Sequence, residues 1–447
     1  MSRRCLLLTA LTTLALAPAA TAKYVTIKGA PGYGPAQHAR VGVDQLGPKK
    51  PDQVLVLIPG TFAGSGSLRG VAEELVKRVD GLAVWSIDRR SNFLEDTSAM
   101  VKAKRGEITG QQLFDFYLGW IGADPPIEPH YEPLADADYT FARRWGLRTA
   151  LEDTRRVVLT AKKTGADVIL GGHSLGASST YAYAAWDFAG RPGYKDLTGL
   201  VAIDGGGMRE DPADAAEVQQ SIDELEESSP WLDLLGLGLP WTSGVFQETG
   251  GIGAIVDPDD PSIGQASPLL PAQFKPDVPV TNEALFGYAF DYRTSPESLA
   301  LIHVHSGAID RTGAEPFGWK NDGITPIERL ARLAAHEPGN FVEWYYPRRL
   351  TIDAGAASSL KRDAANTTAG NRVWHARKVN LPLYAFQTSL SDGRVIAGAK
   401  RFAGASRVPF TTLVNREQSY AHLDPVTAAP KRNDFVKTVV PFLKRLR

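Results

Sequence analysis

The sequence runs to 447 residues, 43% of them hydrophobic and 22% charged, with a formal charge of −1. That length suits one large α/β domain with an elaborated insertion, and the near-neutral balance gives nucleic acid no electrostatic reason to bind. Cys5 is the sole cysteine, which excludes a disulfide framework, and thiol chemistry once the N-terminus is removed.

The chain opens with the basic Arg3 and Arg4, then an apolar run from Cys5 to Leu16, then the small residues Ala20-Thr21-Ala22. This reads as a secretory signal peptide over 1–22, cut after Ala22, so a secreted or periplasmic protein is expected. The apolar run is too short to span a bilayer, so no stable membrane insertion is expected.

Tyr24 to Ile27 and Ala39 to Val43 alternate enough to be opening strands across a Gly/Pro turn. Gln53 to Ile58 reads as a strand covered on both faces, ending in the glycine-rich Pro59-Gly-Thr-Phe-Ala-Gly-Ser-Gly66. A helix over Ser67 to Asp80 and a strand over Leu82 to Ile87 follow, the latter closing on Asp88-Arg-Arg-Ser91. Strand and helix alternating at this pace imply parallel βαβ units. Residues 92–138, proline-punctuated and aromatic, read as a loop-rich insertion. A helix over Arg143 to Lys163 then feeds a buried strand, Val168 to Leu170.

That strand runs into Gly172-His-Ser-Leu-Gly176 and a helical stretch, Ser178 to Phe188. A G-x-S-x-G pattern between strand and helix marks a turn so sharp that its flanking positions must lack bulk, with the hydroxyl presented at a helix start. Ser174 is therefore the candidate nucleophile. Strand Leu200 to Ile203 comes next, closing on Asp204-Gly-Gly-Gly207.

Residues 208–378 break the rhythm again and read as a helical cap inserted into a core of 23–207 and 379–447. The cap holds an acidic helix from Asp211 to about Glu227 and a Gly-punctuated apolar stretch, Trp231 to Trp241, suited to an acyl pocket, a lid or internal packing. Thr325-Pro-Ile-Glu328 is a capping box opening an amphipathic helix through Ala335. The sheet resumes with Leu381 to Phe386, a helix over Val395 to Phe402 and a last strand, Phe410 to Val414. A loop, Ser419 to Pro425, and a basic amphipathic helix, Lys431 to Arg447, complete the chain.

A serine hydroxyl needs a base within hydrogen-bond reach and a group that orients the base. Of eight histidines, His422 is the candidate base, because a loop after the final parallel strand emerges at the same carboxyl edge as Ser174. His173, inside the turn, is expected to point away. The orienting acid should also lie at a carboxyl edge: Asp392 is preferred, with Asp204 the alternative. The oxyanion donors expected are the N–H of Leu175 and an N–H from the 59–66 loop, that of Thr61 or, alternatively, Phe62. His303 and His305 invite a metal, but a helix starting near Ser295 would turn them to different faces, so no metal site and no cofactor are expected.

These pieces resemble the α/β-hydrolase superfamily over residues 24–207 and 379–447. The matching residues are Ile58-Pro-Gly-Thr61 as oxyanion loop, Asp88-Arg-Arg90, the Gly172–Gly176 turn, and Tyr420-Ala-His-Leu-Asp-Pro425, which looks like the histidine loop of lipases and esterases. The resemblance implies a mostly parallel sheet flanked by helices, nucleophile Ser174, base His422 and acid Asp392. Pro59-Gly60 departs from the commoner His-Gly form of the oxyanion loop. The activity expected is cleavage of small-molecule or lipid-like esters through an acyl-enzyme. The alternatives are amidase, peptidase or thioesterase chemistry on the same residues, or a catalytically silent ligand-binding protein.

Overall fold

Runs of Val, Leu and Ile buried on both faces are what set the central sheet, and Gln53–Ile58 is buried at every position. The computed structural model describes residues 21–447; residues 1–20, which hold most of the expected signal peptide, lie outside the described residues. The main strands are β1 (Thr21–Lys28), β2 (Arg40–Gly47), β3 (Gln53–Ile58), β4 (Leu82–Asp88), β5 (Asp167–His173), β6 (Gly199–Ile203), β7 (Leu383–Gln387) and β8 (Thr411–Asn415). They form one 8-stranded sheet in the order β1-β2-β4-β3-β5-β6-β7-β8. Strands β3 to β8 pair in parallel, while β2 joins both β1 and β4 antiparallel.

The register matters for chemistry. His173 of β5 sits opposite Ile203 of β6, so Ser174 and Asp204 leave neighbouring strands at the same edge. Helices Arg69–Arg78, Leu147–Lys162, Leu175–Ala185, Arg394–Ala405 and Asp434–Arg445 connect or follow the strands, close to their expected spans. The helix after the serine begins at once, at Leu175 rather than near Ser178.

No strand of the main sheet falls between β6 and β7; that stretch holds helices of up to 15 residues and one small hairpin, Gly307–Asp310 with Gly318–Asn321. The 92–138 and 208–378 segments share a core of their own. Tyr117 and Tyr131 of the first pack with Trp231, Trp241, Trp344 and Tyr345 of the second, and the Tyr131 and Tyr345 hydroxyls hydrogen-bond. The stretch 231–241 thus divides its work: its two tryptophans are buried in this aromatic cluster, whereas Leu234 and Leu235 line an apolar cavity of about 120 Å³. The capping box at Thr325 does not form. The helix runs over Ile327–Ala334, its first N–H donates to Asn321 Oδ1, and the Thr325 hydroxyl donates to Asp424 instead.

Candidate active site

Ser174 takes φ 56° and ψ −123°, a conformation that costs a non-glycine residue about 1–3 kcal/mol and persists only when the surroundings impose it. Those surroundings are tight. A Cβ on Gly172 would stand 2.3 Å from the Gly176 carbonyl carbon, and one on Gly176 would stand 2.0 Å from the Ile58 oxygen. The Ser174 N–H is tied to the Ile203 carbonyl at 2.9 Å. The helix starts at the next residue, and the Leu175 N–H has no hydrogen-bond acceptor among the described residues, as the oxyanion reading requires.

His422, buried at 2% exposure, donates from Nδ1 to Asp204 Oδ2 at 2.5 Å. Asp204 is held by more than histidine: the Thr388 N–H donates to it at 2.8 Å, the Ser391 hydroxyl at 2.5 Å, and the Thr388 hydroxyl donates as well. Burial alone would raise the Asp204 pKa. The His422 hydrogen bond and charge, with the two hydroxyls, outweigh it and hold the carboxyl at about 2. The preferred acid of the sequence reading, Asp392, is elsewhere. It follows the short turn Ser389–Ser391 in a left-handed conformation, is exposed, and makes no side-chain hydrogen bond among the described residues. The turn presents the Ser391 hydroxyl, not the Asp392 carboxylate, to the site. Asp204, the alternative, occupies the position the sequence reading had given to Asp392.

His173 makes no side-chain hydrogen bond to Ser174 and engages His422 instead. Its Nε2 donates to the His422 carbonyl at 2.9 Å, with the two rings 4.4 Å apart. Burial, reinforced by the charge His422 can carry, lowers its pKa to about 3, so it remains a neutral donor that fixes the backbone of His422.

The 59–66 loop passes against the nucleophile: a Cβ on Gly60 would lie 2.9 Å from Ser174 Cβ. Arg89, 8% exposed, sets the loop's peptide planes by donating to the carbonyls of Pro59 (2.6 Å), Gly60 (2.9 Å) and Ala63 (3.1 Å). Its charge is met by Glu343 at 2.7 Å. A trans peptide points its N–H opposite its C=O, so the N–H of Thr61 faces away from Arg89. Phe62, the alternate donor, has φ 54°. Asp88 anchors the far end of the loop, accepting from the Ser65 N–H at 2.5 Å and the Ser65 hydroxyl at 2.9 Å. The sequence includes Arg89 in the Asp88-Arg-Arg90 match without a role for it; its place directly after β4, beside Asp88, is the available signal.

The rings of His303 and His305 are engaged separately. The short helix Glu297–Ile302 ends just before them, His303 donates to the Pro296 carbonyl at 3.1 Å, and His305 Nδ1 donates to Asp424 at 2.6 Å. No group of three or more metal-ligating side chains occurs among the described residues. Asp424, two residues after His422, bonds both within its own loop and outside it. It accepts from the Ala421 N–H, the His305 N–H and imidazole, and the Thr325 hydroxyl, and so ties the histidine loop to the 208–378 segment.

Ser174, Asp204 and His422 open on one cavity of about 530 Å³, lined by polar and apolar groups alike. The apolar cavity beside Leu234 contains none of the three.

A mostly parallel sheet with a strained serine turn after its central strand, and a His–Asp pair at the same edge, defines the α/β-hydrolase fold, which this chain has. The structure is similar to that of a protein from Sulfolobus solfataricus assigned as a lipase, at a TM-score of 0.51 and 15% identity, covering 95% of this chain and 94% of that one. An epoxide hydrolase from Vigna radiata superposes more loosely, at a TM-score of 0.44 and 13% identity over 95% of this chain and 98% of that one. Only the first bears on the fold. No family model matches the sequence, and comparison with curated proteins finds no relative. No helix among the described residues is long and apolar enough to cross a membrane.

Proposed function

We propose that the protein is a serine hydrolase cleaving carboxylic esters through an acyl-enzyme on Ser174. The observation that carries this reading is the buried His422–Asp204 hydrogen bond in the cavity that Ser174 enters from its strained turn. In the proposed cycle Ser174 Oγ attacks the ester carbonyl carbon while His422 Nε2 takes the hydroxyl proton. The tetrahedral oxyanion is met by the N–H groups of Leu175 and Thr61. Collapse breaks the bond to the alkoxide, which leaves with the proton from His422. Water, deprotonated by the same imidazole, then releases the acid and restores Ser174. Asp204 fixes the tautomer with the proton on Nδ1 and stabilises the imidazolium; in this scheme it replaces Asp392. Export from the cytoplasm belongs to the same proposal and rests on the N-terminal sequence alone.

Ser174→Ala should lower kcat on a chromogenic ester by about 10⁴–10⁶-fold while the protein stays folded, and a fluorophosphonate should label wild type only. Turnover by that variant near the wild-type rate would remove Ser174 from the mechanism. A matched series of ester, thioester and anilide sharing one acyl group distinguishes an esterase from a thioesterase or amidase.

A further inference from the structure

The cavity at Ser174 is lined by a run of three glycines and by three arginines. The loop after Asp204 contributes Gly205, Gly206 and Gly207, the last two with φ of 71° and 90°. None of their N–H groups has an acceptor among the described residues, although all three residues are half-buried. Successive peptide N–H groups in such conformations form a concavity suited to an anion. A Cβ on Gly205 would stand 2.0 Å from the Ser174 carbonyl oxygen, so this concavity adjoins the nucleophile.

Three arginines line the same cavity: Arg209, Arg394 and Arg401. Arg394 is held in place by the carbonyls of Ser391 (2.9 Å) and Leu390 (3.1 Å), which leaves its Nη1 without a partner. Arg401 donates to the Met208 carbonyl at 2.7 Å and meets Glu210 loosely, at 3.8 Å. Arg209 has no side-chain partner among the described residues and is exposed. The opposing carboxylates are Glu210, which is 77% exposed, and Asp211, since Asp204 is committed to His422 and its other donors. Two guanidinium groups thus keep free donors beside a row of free peptide N–H groups.

We propose that this cavity binds an anionic oxygen-bearing group, a carboxylate or a phosphate, and that the ester cleaved at Ser174 carries such a group. The second clause rests on the ester-cleavage reading; the first does not. A bidentate or charge-assisted contact from an arginine is a strong one, so loss of a single arginine should weaken binding about tenfold.

The test is calorimetric titration of the intact protein with succinate and, separately, with inorganic phosphate, each at ionic strength matched with sodium chloride. Binding of either supports the proposal and names the source of the anion. It should weaken about tenfold in Arg209→Gln, whose fold is unaffected because that guanidinium holds nothing, and in Arg394→Gln. In parallel, the same anion should inhibit hydrolysis of a neutral ester competitively, and the variants should relieve that inhibition. Heat no different from sodium chloride, or binding unchanged in both variants, overturns the proposal even if the ester is cleaved. Conversely, anion binding without ester turnover or fluorophosphonate labelling keeps the cavity assignment and overturns the hydrolase reading.

Discussion

At the scale of single residues, the choice between two aspartates is the sharpest test. Asp204→Asn should leave the fold intact and lower kcat by about 10⁴-fold, because the amide no longer selects the Nδ1–H tautomer of His422. Asp392→Asn should leave kcat and KM near wild type, because that carboxylate touches nothing in the site. Steady-state kinetics on one chromogenic ester decides between them. That Ser174 and His422 meet at one sheet edge was legible because the turn chemistry of one and the loop position of the other are written locally. Which aspartate meets His422 was not, since both follow core strands. What distinguishes them is the pairing of β6 directly beside β5, together with a short turn that carries Asp392 past the histidine. Neither property has a sequence signature.

At the scale of elements, strands were legible almost to the residue where their side chains are buried on both faces, as for Gln53–Ile58. The 208–378 segment was legible only as an interruption. Its helices are separated by irregular loops, and one expected cap is diverted, since the Thr325 hydroxyl serves Asp424 rather than its own helix. That diversion joins two elements, and Asp424→Ala measures the joint. It leaves the His305 N–H without an acceptor and removes the shorter of two contacts from the Thr325 hydroxyl and the Ala421 N–H, and should lower stability by about 2 kcal/mol in a denaturant titration. Because the same loop carries His422, kcat should fall as well, with KM less affected.

At the scale of the whole molecule, the core shared by residues 92–138 and 208–378 encloses Glu248, 2% exposed, whose Oε2 accepts from Trp344 Nε1 at 2.8 Å while Oε1 is unpartnered. Burial raises its pKa to about 8, against an ordinary value of 4.5. A carboxyl with a raised folded-state pKa lends stability that is complete below the unfolded value and is lost as pH rises through the folded one. The melting temperature should therefore fall between pH about 5 and about 9. Glu248→Gln keeps an acceptor for Trp344 and should flatten that slope; an unchanged slope in a pH series of thermal melts would assign it to other groups.

Arg89 ties these scales together. One guanidinium fastens the carbonyls of the 59–63 stretch and is itself held by Glu343, from the far insertion, so the proposed oxyanion donor of that loop is aligned by the same packing that folds the chain. Donors fixed in this way are preorganised, and the site should fail only when the fold does. Catalytic activity and tryptophan fluorescence should be lost at one and the same urea concentration. Arg89→Met, which leaves the Glu343 carboxylate buried without its partner at a cost of about 3–5 kcal/mol, should move both midpoints down together. An inactivation curve that precedes unfolding would mean that the loop opens by itself. Such coincidence would make catalytic rate a reporter of global integrity in this enzyme, usable to follow its folding without any optical probe.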